Sequence, residues 1–203
     1  MRKGRAHHFP ARRRGPGQGP VLHSGPAPVA HLALEARRHG RQEKVGMAGH
    51  SLGGASTGAS MEKDSRVRTG VNMDGPFINA GKSSDLSGRP FMMLGTKDDH
   101  SPGDDTTWDT AWKQLKGWKR WATLTGAEHM SFTDLVSLAG QLGADDPEGL
   151  PGERAAEITR DYVGAFFDRH LHGRHQALLG HPGETRPEVT LQHRDSRDPS
   201  PRS

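Results

Sequence analysis

Lys44-Val45-Gly46-Met47-Ala48-Gly49-His50-Ser51-Leu52-Gly53-Gly54-Ala55 is the stretch that decides how this chain folds. A short apolar run, Val45 to Ala48, gives way to the G-x-S-x-G pattern at 49–53, and Ala55 to Lys63 is rich in small residues suited to a closely packed helix. These textures predict strand, sharp turn, helix. In such a nucleophile elbow the serine sits on a strained turn, and the flanking glycines let the backbone fold tightly without Cβ clashes. Ser51 is thereby placed to attack. The backbone N–H of Leu52, at the start of the helix, points where a tetrahedral oxyanion would form and benefits from the positive end of the helix dipole. The plainer reading is a Gly-rich turn before a helix, in a chain with 27 glycines. A phosphate-binding loop does not fit: Gly81-Lys82-Ser83 has Pro76 where the upstream glycine should stand.

Working outward, Thr69 to Met73 and Pro90 to Leu94 are apolar runs, the first closed by Asp74-Gly75 and the second by Gly95-Thr96-Lys97-Asp98-Asp99. Both read as buried parallel strands. Thr107 to Leu115 has helical character, and Lys119 to Thr125 is strand-like, giving the order β-α-β-β-α-β from the elbow strand onward. Arg154 to His172 spaces Ile158, Tyr162, Ala165, Phe166 and Leu171 as one helix face, with Gly173 just past its end. Trp108 and Trp112, one helical turn apart, are expected to pack a helix onto the sheet rather than line a substrate site.

A serine nucleophile needs a histidine on a loop after a late strand, and His129 stands at such a point, after Lys119 to Thr125 and Gly126-Ala127. His50 reads as a packing residue of the elbow. His7, His8, His23, His31 and His39 lie in a stretch whose composition explains them, and His170, His172 and His175 read as solvated imidazoles at a helix end rather than metal ligands. The acid that orients the imidazole has two candidates, Asp74 and Asp98, because each closes a strand in the order Ser, acid, His.

Three separated segments, Gly-His-Ser-Leu-Gly-Gly-Ala at 49–55, Val-Asn-Met-Asp-Gly at 71–75 and Gly-Ala-Glu-His-Met-Ser-Phe-Thr-Asp at 126–134, resemble the lipase and platelet-activating-factor acetylhydrolase branch of the α/β-hydrolases. The likeness covers roughly residues 41–175. It implies acyl-ester hydrolysis through a Ser-His-Asp triad and an acyl-enzyme, and it assigns the acid to Asp74, with Asp98 as the alternative. Set against this family, the chain is expected to be the carboxy-terminal portion of an α/β-hydrolase, a mostly parallel sheet with flanking helices and its early strands missing. No source of a second oxyanion N–H is evident before the elbow. A catalytically inactive fragment is therefore the alternative to a working esterase.

Composition bounds the rest. Only 31% of the 203 residues are hydrophobic and the mean hydropathy is −0.81, so part of the chain is expected to lie outside any core. The net charge of +4 is unevenly spread: residues 1–40 carry +7, leaving −3 for the remainder. A basic leader (1–40) expected to be disordered, a catalytic region (41–180) and a polar tail (181–203) follow from that division. A basic-tailed binding protein is the third reading, but a mildly acidic body is not that of a nucleic-acid-binding domain. Cysteine is absent, which excludes disulfides and a cysteine nucleophile. No cofactor or metal is expected; the partner is a small-molecule or lipid ester. Neither a signal peptide nor a membrane-spanning segment is recognisable, so the chain as written is expected to be cytoplasmic without stable membrane insertion, and secretion is compatible with a full-length relative.

Overall fold

The computed structural model describes residues 32–36, 44–77, 85–144, 147–181 and 186–194. They form one six-stranded sheet in sequential order: β1 (Leu32–Ala36), β2 (Lys44–His50), β3 (Val67–Met73), β4 (Phe91–Thr96), β5 (Lys119–Leu124) and β6 (Val189–Arg194). Strands β2 to β5 run parallel, and β1 and β6 pair antiparallel at the two edges. Parallel neighbours need a crossover. That between β2 and β3 carries α1 (Leu52–Lys63) and that between β4 and β5 carries α2 (Lys97–His100) and α3 (Thr106–Gln114), while α4 (Asp134–Gln141) and α5 (Gly152–His172) lie in the connection to antiparallel β6.

Both faces of the parallel strands are covered, which is why β4 is apolar along most of its length and buried throughout. Phe91 and Met93 point to one face, where Met61 of α1 and Trp108, Ala111 and Leu115 of the α3 segment close over them. Met92 and Leu94 point to the other, against Ile158, Tyr162, Phe166 and Phe167 of α5. Burying a large apolar side chain of this kind is worth about 1.5–3 kcal/mol, so the face of α5 read from its three-and-four spacing anchors that helix. Gly173 ends it in the left-handed conformation at φ 71°.

Two expectations are corrected. Val189–Arg194, placed by composition in a polar tail, forms β6, because an edge strand needs apolar side chains on one face only; Val189 and Leu191 supply them, packed against the α5 side of the sheet. Leu32–Ala36, placed in the basic leader, forms β1, paired from Leu32↔Ala48 to Ala36↔Lys44. The remainder of that leader, Gly81-Lys82-Ser83 and residues 195–203 lie outside the described residues.

Candidate active site

The carboxyl ends of β2, β3 and β5 open on the same side of the sheet, the side on which open α/β sheets bind ligands. Ser51 follows β2 directly. Its backbone stands at φ 56°, ψ −123°, a conformation that costs a non-glycine residue on the order of 1–3 kcal/mol. The neighbours over-determine it. Ser51 N–H donates to the Met73 carbonyl at 2.9 Å, and the carbonyl of Ser51 accepts from Ala55 N–H at 3.0 Å. A Cβ at Gly49 would stand 2.2 Å from the Gly53 backbone, so the turn closes only with glycine there. Leu52 begins α1, and amides of a first helical turn have no intrahelical acceptor, which leaves its N–H for an incoming oxygen.

Asp74 follows β3 in a second left-handed conformation, φ 53°, and its side chain is almost wholly buried. One carboxylate oxygen, Oδ1, accepts the backbone N–H of Thr96 at 2.7 Å. The other, Oδ2, lies 2.6 Å from Nδ1 of His129. His129 is carried past the end of β5 by Gly126, at φ 74°, and opens a 3-10 turn over His129–Phe132. Its Nε2 lies 3.0 Å from Ser51 Oγ. With the Nδ1 proton donated to the carboxylate, Nε2 presents a lone pair to the serine hydroxyl, so the imidazole can accept that proton while the carboxylate balances the charge it gains. Ser51, Asp74 and His129, singled out in the sequence, thus meet at one point, with Leu52 next in the chain after the serine. Asp98 does not join them: it lies exposed in α2 and is not among the hydrogen-bond partners of the imidazole.

Residues 37–146 match the family described as platelet-activating factor acetylhydrolase, isoform II. This chain belongs to that family. Over 182 residues it is 31% identical to a protein of Arthroderma benhamiae named probable 1-alkyl-2-acetylglycerophosphocholine esterase, covering 80% of this chain and 46% of the relative. A solved structure of ferulic acid esterase from Streptomyces cinnamoneus superposes with a TM-score of 0.61 at 40% identity, covering 72% of this chain and 46% of that one. The chain therefore spans about half the length of the relatives it matches, within an α/β-hydrolase fold.

In this acetylhydrolase-family chain the surroundings of the three residues hold what the motifs alone did not reveal. Asn72, fully buried in β3, accepts Gly75 N–H at 3.0 Å and donates to the Gly75 carbonyl at 2.7 Å, clasping the turn that carries Asp74. The same carbonyl accepts Trp108 Nε1–H at 2.7 Å. Trp108 is thus a core residue, as expected, that also braces this turn. Its polar tip is the only sequence signal for that role, since a buried indole N–H needs an acceptor.

His50 packs as expected, its ring centroid 4.5 Å from that of His129, and its Nε2 donates to the His129 carbonyl at 2.7 Å. Burial holds the His50 imidazole below its ordinary pKa, against the opposing influence of that hydrogen bond. His170 departs from the solvated reading. It lies against Trp118 and Phe166 with Nε2 buried and without a hydrogen-bond partner, and burial pushes its pKa down to about 3. Among the described residues no group of three or more His, Asp or Glu side chains is arranged to hold a metal ion.

Proposed function

We propose that this chain hydrolyses carboxylic esters through Ser51, His129 and Asp74. Ser51 Oγ attacks the ester carbonyl carbon as His129 Nε2 removes its proton, and Asp74 holds the resulting imidazolium through Nδ1–H. The tetrahedral oxyanion accepts the N–H of Leu52. Collapse breaks the bond to the alcohol oxygen, which leaves with the proton carried by His129, and an acyl-serine remains. Water, deprotonated by the same imidazole, attacks that acyl group, and the acid product departs with Ser51 restored.

The observation that carries this reading is the continuous series Asp74 Oδ2, His129 Nδ1, His129 Nε2, Ser51 Oγ at 2.6 and 3.0 Å. The strained elbow backbone supports it, since such strain gathers at functional sites. Family membership and the two esterase relatives favour an ester as substrate, drawn from acetylated glycerophospholipids or aryl-acid esters of the kinds their names carry.

The test is a fluorophosphonate probe applied to purified, monodisperse full-length chain, with peptide mapping of the adduct and turnover of p-nitrophenyl acetate. Labelling at Ser51, lost in Ser51→Ala together with turnover, is the expected result. A folded chain that takes no label and turns over no ester overturns the proposal in favour of an inactive relative.

A further inference from the structure

A second histidine stands behind the acid. His100, the last residue of α2, is buried, and its Nε2 lies 3.4 Å from Asp74 Oδ1, the oxygen turned away from His129, a close polar contact not aligned as a hydrogen bond. Its Nδ1 lies 3.1 Å from Asp105 Oδ2 without hydrogen-bond alignment. Each carboxylate keeps its other oxygen for a separate task. Asp74 Oδ2 serves His129, and Asp105 Oδ1 caps α3 by accepting Thr107 N–H at 2.7 Å, Trp108 N–H at 3.4 Å and the Thr107 hydroxyl at 2.6 Å. The imidazole fills the gap between the remaining two oxygens.

The ring has little freedom there. It stacks on Trp108 with centroids 4.1 Å apart and planes inclined by 18°. Trp121 Nε1–H holds the His100 carbonyl at 2.8 Å. On the β4 side a Cβ at Gly95 would stand 2.8 Å from His100 Cδ2, so the strand has no room for any larger residue beside the ring. Packing alone would favour an apolar ring in such a pocket; a polar ring aimed at two carboxylates has another use.

We propose that His100 is a positioning residue for Asp74, on the reading of Asp74 as the triad acid. The terminal torsion of an aspartate side chain is broad, so an unrestrained carboxylate samples rotations that take Oδ2 off His129 Nδ1. Thr96 N–H fixes Oδ1 from the end of β4, and the Nε2 edge of His100 stands against the same oxygen. Trp108 links the arrangement to the Asp74 turn, since one indole both stacks on His100 and donates to the Gly75 carbonyl.

Two substitutions separate positioning from packing. His100→Phe keeps an aromatic ring on Trp108 and loses the N–H edge; His100→Gln loses the ring and keeps an amide donor where Nε2 stood. Positioning makes kcat fall on the order of 10²-fold in His100→Phe with KM near the wild-type value, while His100→Gln retains most of kcat. The downfield proton resonance of the His129–Asp74 hydrogen bond disappears in the first variant and persists in the second. The reverse order, a wild-type-like His100→Phe and a damaged His100→Gln, overturns the proposal. If His100→Phe does not fold, His100→Gln decides alone: loss of both kcat and the resonance refutes positioning, and their retention supports it. An unlabelled Ser51 in the wild type would defeat the hydrolase reading separately, because the resonance is recorded in unreacted protein and still reports on the carboxylate.

Discussion

Replacing Asp74 by Asn preserves the shape of the side chain and removes one of its two acceptors. Both are in use: Oδ1 receives Thr96 N–H at 2.7 Å and Oδ2 faces His129 Nδ1 at 2.6 Å. With the amide oxygen left on Thr96, the NH2 group meets Nδ1 and forces that nitrogen to offer a lone pair. The ring proton then sits on Nε2, pointing at Ser51 Oγ 3.0 Å away, and the base is lost. The flipped amide restores Nδ1–H but sets NH2 against Thr96 N–H in a buried site, at about 1–3 kcal/mol for the unsatisfied donors. Neither arrangement stabilises the imidazolium as a carboxylate does. Asn in place of a triad Asp lowers kcat about 10⁴-fold in an enzyme of this chemistry, equivalent to about 5.5 kcal/mol of barrier, and the same order is expected here. Asp74→Asn should therefore reduce kcat for p-nitrophenyl acetate and the rate of fluorophosphonate labelling together, with a nearly unchanged unfolding midpoint. An Asp74→Asn chain whose kcat stays within about tenfold of wild type refutes the reasoning. Loss of turnover in Asp98→Asn with Asp74→Asn spared would transfer the role to Asp98.

Three further outcomes follow from the structure. Gly75→Ala places a Cβ 2.1 Å from the Ser51 carbonyl oxygen and should cost stability by about 1–3 kcal/mol as well as activity. Gly164→Ala, exposed in α5 with open space around it, should raise stability by about 0.4–1 kcal/mol; urea denaturation of the two variants tests the contrast, and equal shifts would contradict it. His170 supplies the pH dependence. Its folded-state pKa of about 3 lies below the ordinary value of 6.5, so the unfolded chain takes up a proton that the folded one refuses. Stability from this group is complete above pH 6.5 and is lost as pH falls toward 3, at up to about 1.4 kcal/mol per pH unit. His170→Phe should flatten the unfolding midpoint against pH over that window, and an unaltered slope would mean that the imidazole is already charged when folded.

Elements whose signal is contiguous were legible in the sequence. The four parallel strands, the small-residue helix after Ser51 and the long amphipathic helix ending at Gly173 correspond to β2 to β5, α1 and α5. Strand β6 was not legible because an edge strand buries one face, and two apolar residues in six carry little periodic signal. The solvated reading of His170 failed because the polar end of a helix does not reveal that Trp118 folds over it from the β5 side.

The sequence by itself singled out the candidate nucleophile, its helix and the succession of strands and helices along the chain, because turn chemistry and burial patterns are written in adjacent residues. Tertiary structure decided which carboxylate meets the imidazole and what holds it there. Asp74 and Asp98 both close strands and look alike in one dimension, yet the parallel order of β2, β3, β4 and β5 brings Asp74 beside a histidine 55 positions away and leaves Asp98 on an exposed helix. The approach of Thr96, His100 and Trp108 to the Asp74 turn is likewise non-local, whereas Asn72 clasps Gly75 from three positions away. The three distant residues make hydrogen-bonding or close polar contact with that turn only after the strands have paired, so no stretch of sequence contains the arrangement.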